Sequence, residues 1–268
     1  MTHSPGDIRA LLDRHGLSPS RALGQNFVAD ANTVRRIVRL AGVGAGDPVV
    51  EIGAGLGSLT LALAETGAEV TAVEVDRHLV PILTEVVEPV GARVVHGDAT
   101  ELDWGALLAG HDSWTLVANL PYNVATPLVL DLLDEVPAID RMLVMVQLEA
   151  GQRLAASVGD PAYGIPSVKV QYWATADVVG RVSPGVFVPR PRVESALVRI
   201  VRLPAPAVDA DPDRLFALVR AGFGQRRKML RRSLADLVTP EMFERAGVRP
   251  EARAEELSVQ DWGRLAEA

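Results

Sequence analysis

The chain has 268 residues, enough for one large domain or two of ordinary size. Apolar residues make up 48% and charged residues 23%, which supports a sizeable core and excludes a disordered chain. The net charge of −7, taken whole, argues against a nucleic-acid binder, and the lack of cysteine excludes disulfides, thiolate metal sites and a cysteine nucleophile. Aromatics are only 4%, so the core must be mostly Ala, Val, Leu and Ile. No apolar run reaches the ~18 residues of a membrane span, and the polar N-terminus has no signal core, so a cytoplasmic location is expected.

In chain order, SPSRALGQNFVAD at 18–30 reads as a polar loop. DANTVRRIVRLAGV follows as a helix capped by Asp30. Then strands and helices alternate. DPVVEIG is a strand, SLTLALAETG a helix ending at Gly67, and AEVTAVEVD a second strand. RHLVPILTEVV is a helix with Pro81 in its first turn. RVVHGD and WTLVANL are strands, ATPLVLDLLDEV a helix, DRMLVMVQ a strand and LEAGQRLAASVG a helix. This alternation predicts an α/β fold with a parallel, Rossmann-like sheet. ADVVGRVS and SALVRIVRL flank a Pro-rich loop, SPGVFVPRPRVES, and suggest an antiparallel addition at the edge. LPAPAVDADPD reads as a linker. PDRLFALVRAGF, RKMLRRSLADLV, PEMFERAG and SVQDWGRLAEA beyond it are helical, the last with a Ser258/Asp261 capping pair. The expected division is an α/β domain at 1–204 and a small all-α domain at 205–268.

Residues 205–268 hold eleven basic and eleven acidic residues, so the rest of the chain carries the whole negative balance. Arg220, Arg226, Arg227, Lys228, Arg231 and Arg232 form a run with no acid among them. Positions 220, 227, 228 and 231 would share one helical face. A solvated face is the bland reading of such a run. Phosphate binding is the other, since it needs only local positive charge.

Glu51-Ile52-Gly53-Ala54-Gly55-Leu56-Gly57 lies where the first strand turns into a helix. Glycines there let a ligand approach the backbone and meet exposed amides. Glu74 ends the next strand, where a carboxylate can accept ribose hydroxyls. Asp98 ends the third and can accept from an adenine amino group. All three fall at carboxyl ends of parallel strands, where such sheets bind ligands. A dinucleotide-binding G-x-G-x-x-G would need glycine at 58, and Ser58 is there.

Asn119-Leu120-Pro121-Tyr122 follows the fourth strand. The pattern E-x-G-x-G-x-G, followed by a strand-end acid and then GD, resembles S-adenosylmethionine-dependent methyltransferases, and the resemblance implies methyl transfer to an exocyclic base amine at this loop. That nitrogen is a poor nucleophile because its lone pair is delocalised into the ring. The Asn119 side-chain oxygen and the Leu120 carbonyl can hold its hydrogens. Pro121 supplies no competing donor, and Tyr122 can stack on an extruded base. Positioning would then supply most of the rate.

With these motifs in place, the sequence resembles the KsgA/RsmA family of bacterial rRNA adenine dimethyltransferases. LGQNFVAD, VVEIGAGLGSLT, VANLPYNVATPLVL, MVQLEAGQRL, YGIPSVKVQYW, VFVPRPRVESALVRI and FGQRRKMLRRSL carry the resemblance over nearly the whole chain. It implies a class I S-adenosylmethionine-dependent methyltransferase sheet. The cofactor would be bound by Asn26, Val28, Gly53, Gly55, Glu74, Asp98 and Asn119, with Val28 standing where the family often has Leu. The catalytic residues would be Asn119, Leu120, Pro121 and Tyr122, with Phe187 sandwiching the base against Tyr122. By its residues alone, Phe187 between prolines serves equally as a loop anchor. Arg220, Arg226, Arg227, Lys228 and Arg231 would meet RNA, and no metal is implied. The implied reaction is dimethylation of N6 on two adjacent adenines in the terminal hairpin loop of 16S rRNA. The implied partner is the assembling small subunit, met by a monomer.

Two rivals share parts of this pattern. The macrolide-resistance methylases modify an adenine of 23S rRNA and share the cofactor and N-L-P-Y motifs, but FGQRRKMLRRSL and VFVPRPRVES favour the small-subunit reading. A non-catalytic RNA-binding factor could tolerate decay of the glycine loop or Asn119, and both are intact. His78, His96 and His111 lack a metal-ligand spacing.

Overall fold

The computed structural model describes residues 2–268. Its strands are β1 (Phe27–Val28), β2 (Pro48–Ile52), β3 (Glu69–Glu74), β4 (Arg93–His96), β5 (Trp114–Asn119), β6 (Ile139–Gln147), β7 (Ala174–Val182), β8 (Phe187–Val188) and β9 (Ser195–Arg202). Seven of them form one sheet in the order β4-β3-β2-β5-β6-β9-β7. The first five in that order run parallel. β9 joins β6 antiparallel, as its late place in the chain suggested. Strand order reverses between β2 and β5, so their carboxyl ends flank the topological switch point, where ligands bind in open sheets.

Local signals set the element boundaries. The helix Ala31–Ala41 starts because Asp30 accepts the Thr33 amide, and stops because Gly42 takes the left-handed conformation. The helix Val80–Val87 carries Pro81 in its first turn. The predicted Ser258/Asp261 capping box opens the helix Val259–Glu267. Helices Pro5–Arg14 and Ile165–Trp173 were not foreseen, and each begins with a capped turn and an early proline.

β1 and β8, also not foreseen, form a two-stranded antiparallel ladder. Phe27 faces Val188 and Val28 faces Phe187. Two-residue strands carry no periodicity, which is why sequence patterning shows only loops there.

The chain divides into two compact units, residues 1–151 with 177–201 and residues 152–176 with 202–268. This differs from the division expected at 204/205. Residues 152–176 join the C-terminal helices because Tyr163, Val168 and Tyr172 share one core with Leu215, Leu230 and Trp262. The Tyr163 hydroxyl donates to the Leu257 carbonyl at 2.9 Å, and the Tyr172 hydroxyl to the Ala210 carbonyl at 3.2 Å.

The basic segment also departs from expectation. The helix Pro212–Gly224 ends before Arg226, residues 225–229 form a turn, and Leu230–Ser233 is a separate short helix. The cause is competing backbone bonds: Leu230 N donates to the Ala252 carbonyl and Arg231 N to the Pro250 carbonyl. Positions 220, 227, 228 and 231 therefore share no helical face. Among the described residues, no helix is long and apolar enough to cross a membrane.

Trp262 is fully buried, and a Cβ at Gly222 would lie 2.6 Å from its ring. Gly222→Ala is therefore expected to destabilise the helical unit by ~1–3 kcal/mol, the usual cost of overpacking. Its denaturant midpoint checks this; an unchanged midpoint would mean that the ring has room to shift.

Candidate active site

The glycine loop after β2 needs its glycines. Gly53, Gly55 and Gly57 have φ of 73°, 59° and 83°, a region that side-chain-bearing residues rarely adopt. A Cβ on Gly55 would come within 3.0 Å of the Phe27 ring, and one on Gly53 within 3.6 Å of the Asn119 carbonyl. The loop thus runs close to both β1 and the end of β5.

Glu74, at the end of β3, is 5% exposed. One carboxylate oxygen accepts the Gly55 amide at 2.7 Å and the other the Asp76 amide at 2.9 Å. Burial still pushes its carboxyl above the usual range, although those amides pull it down. A carboxylate offers about four acceptor sites, so ribose hydroxyls can still be taken. Asp98 is exposed, and one of its oxygens accepts both the Thr100 amide and hydroxyl.

The N-terminal loop closes over this cradle. Gln25 donates to the Asp76 carboxylate at 2.8 Å and accepts the Ser20 amide at 2.7 Å. Gly24, with φ of 64°, seats against Pro121, where a Cβ would come within 3.1 Å. The Asn119 side-chain amide donates to the Asn26 carbonyl at 2.9 Å. That bond uses Nδ2 and leaves Oδ1 as the acceptor for an incoming donor. The Leu120 amide is held by the Met145 carbonyl at 3.1 Å. The Tyr122 hydroxyl meets the Ser195 hydroxyl at 2.7 Å.

The structure brings most of the expected residues together. Asn26, Val28, Gly53, Gly55 and Glu74 line one cavity with Asn119, Leu120, Pro121 and Tyr122. Asp98 lines an adjoining cavity that shares Leu23, Gly53, Val75 and Pro121 as walls. Phe187 is not part of either lining. It is 4% exposed, packed in the core with Val28, and takes the loop-anchor place that its residues alone allowed. The basic residues lie in the helical unit, all exposed. Arg226 pairs with Glu255, and Arg231 with Glu251 at 3.6 Å.

Three residues in or beside the cavity carried no assigned role in the sequence reading. Glu51, 2% exposed, accepts the Thr60 hydroxyl at 2.6 Å. Burial pushes its carboxyl up to about 8. Its signal was the acid that opens E-x-G-x-G-x-G. Ser58 lines the cavity with a buried hydroxyl that has no partner. Ser195 lies 73 residues from the tyrosine that it contacts, so no local pattern could show it.

The whole chain from residue 17 to 268 matches the family profile of the ribosomal RNA adenine dimethylases. The chain belongs to that family. It is 48% identical to the ribosomal RNA small subunit methyltransferase A of Kineococcus radiotolerans, over 98% of this chain and 90% of that one. It is 47% identical to the protein of that name from Cutibacterium acnes, over 99% and 93%. Among solved structures, a dimethyladenosine transferase from Plasmodium falciparum superposes with a TM-score of 0.76, at 23% identity over 88% of this chain and 94% of that one. The 23S rRNA methyltransferase ErmE superposes with a TM-score of 0.70, at 26% identity over 90% and 98%.

The family member is a methyltransferase with a Rossmann-like fold and S-adenosylmethionine as its methyl donor. The cavity fits that cation. Two buried carboxyls, Glu51 and Glu74, face a glycine cradle, and the Ser58 hydroxyl is an unused polar group there.

Glu51 gives the apo protein a pH signature. Between about 4.5 and 8 the folded state holds a proton that the unfolded chain has released, so stability falls as pH rises. The slope has a ceiling of about 1.4 kcal/mol per pH unit. Glu51→Gln should flatten this window in denaturation curves taken from pH 5 to 8; an unaltered slope would place the buried proton elsewhere.

Proposed function

We propose that the protein dimethylates N6 of two adjacent adenines in the 3'-terminal hairpin loop of 16S rRNA. It acts in the cytoplasm, as a monomer, on the assembling small subunit. The observation that carries this reading is the Asn119 amide. Its Nδ2 is committed to the Asn26 carbonyl, so Oδ1 can accept only from a donor that enters the cavity. An exocyclic amine is such a donor.

S-adenosylmethionine supplies an electrophilic methyl group on a sulfonium. The chain's residues do the rest. Glu74 accepts ribose hydroxyls, and Asp98 accepts from the adenine amino group of the cofactor through its second oxygen. Asn26 and Val28 border the same space from the N-terminal loop. Asn119 Oδ1 and the Leu120 carbonyl would accept hydrogen bonds from the N6 hydrogens and so orient the nitrogen's lone pair for transfer. Tyr122 offers its ring to the base, a stacking contact of ~1–3 kcal/mol. Phe187, opposite Val28 in the β1·β8 ladder, is the second aromatic that the resemblance assigns to that base. No strong base is required, since positioning supplies the rate. As the methyl–nitrogen bond forms, the methyl–sulfur bond would break to leave the neutral thioether, and the cationic nitrogen would release its proton to water.

Small-subunit specificity rests on the relatives of 46–48% identity, all named for the small subunit. Methyl transfer from labelled S-adenosylmethionine tests it. Unmethylated small subunits and protein-free 23S rRNA serve as parallel substrates. Dimethyladenosine in the small subunit alone is expected. Label in 23S rRNA would move the protein to the resistance methylases, and label in neither would leave a non-catalytic RNA binder.

Asn119→Ala should lower single-turnover methyl transfer by at least ~100-fold while cofactor affinity, read by calorimetry, stays within about tenfold. Unchanged turnover would remove Asn119 from catalysis.

RNA contact by the helical unit is expected from Arg220, Arg227 and Lys228, none of which has an ion-pair partner among the described residues. Arg226 and Arg231 contribute less, because acids already hold them. Arg227→Ala with Lys228→Ala should reduce the slope of log K against log salt by roughly 0.7–0.9 per lost phosphate contact. An unmoved slope would make the segment a solvated surface.

A further inference from the structure

Ser195 has no exposed surface, and its hydroxyl lies 2.7 Å from that of Tyr122. It is the first residue of β9 and pairs with Gln147, the last of β6. The backbone beside it is tied down as well, because the Leu148 amide donates to the Glu194 carbonyl at 2.9 Å. A hydroxyl anchored in the sheet in this way cannot shift unless the strands shift. Tyr122 is placed differently. It sits in a short loop, is only half-buried and lines the cavity. The loop's backbone is fixed on both sides, by Leu120 N on the Met145 carbonyl and Ala125 N on the Pro121 carbonyl. Those bonds leave the ring free to rotate about its two side-chain torsions. The far end of the ring is where rotation must be stopped, and that is where Ser195 stands.

We propose that Ser195 is a positioning residue for base capture: its hydroxyl pins the edge of the Tyr122 ring so that the ring face stays presented to a planar base entering the cavity. The role rests on the methyl-transfer reading above. It involves no proton transfer and no contact with the reacting atoms. A ring ordered in advance loses less conformational freedom when the base arrives. Without Ser195, the Tyr122 hydroxyl would be half-buried with no partner. That state is costly, and the ring relieves it by turning toward water.

The same asymmetry gives a test that simple loss of structure would not reproduce. Leaving one partner unpaired is costly, whereas removing both is close to neutral. Ser195→Ala should raise the KM for RNA about fivefold, the scale of one net hydrogen bond, with the cofactor Kd unchanged. Adding Tyr122→Phe to Ser195→Ala should make this no worse, because both changes break the same bond. The chain has only three tyrosines, so selective ring labelling lets the Tyr122 signal be followed by NMR without RNA. Its ring should become more mobile in Ser195→Ala. Additive losses in the double variant, or a cofactor Kd weakened as much as the RNA KM, would overturn the role. An unaltered Tyr122 ring with methyl transfer intact would remove the role alone. Absence of methyl transfer by the unsubstituted protein would instead remove the function on which it rests.

Discussion

The cavity depends on a ladder of two residues a side. Phe27 and Val28 pair with Val188 and Phe187, and this clamps the N-terminal loop to the Pro-rich loop across the carboxyl ends of the sheet. Two features of the cavity hang from that clamp. The Asn26 carbonyl is in place to receive the Asn119 amide because residue 27 is already paired. The Phe27 ring is in place to pack on Gly55, which forces that position to stay glycine. The ladder has few hydrogen bonds of its own, so its stability comes from burial: Phe27, Val28 and Phe187 are each under 9% exposed. Phe187 thus anchors the ladder in the core, and a stacking role would be an addition to that one.

The electrostatics follow from the same enclosure. Glu51 and Glu74 are both nearly inaccessible, and burial raises the proton affinity of each, with the Glu74 charge adding to it at Glu51 and the Asp76 charge at Glu74. A buried acid is costly unless it is protonated or hydrogen-bonded; Glu51 keeps its proton and accepts the Thr60 hydroxyl, and Glu74 accepts the Gly55 and Asp76 amides. The global charge of −7 therefore says little about function. The acidic balance includes Glu51 and Glu74 of the cavity, and the basic run lies in the helical unit.

Much of this was readable in the chain because the relevant signals are local. Glycine spacing, acids at strand ends, Asn119-Leu120-Pro121-Tyr122 and the capping residues Asp30 and Ser258 all act within a few residues of themselves. What could not be read is long-range. The β1·β8 pairing and the Tyr122–Ser195 contact join segments far apart in the chain, with no repeating pattern to announce them. The basic run departs from one continuous helix for a related reason. Carbonyls of Pro250 and Ala252 compete for its amides, and tertiary bonding overrides local propensity.

The helical unit is assembled from two stretches of chain, with residues 177–201 passing through the other unit between them. That has a consequence for how the protein is born. During synthesis, residues 152–176 emerge early, carrying Tyr163, Val168 and Tyr172 with their apolar surface uncovered. Ala210 and Leu215 follow, but the core is complete only when Leu257 and Trp262 have left the exit tunnel. For that interval part of a nascent apolar face is exposed to chaperones and to neighbouring chains.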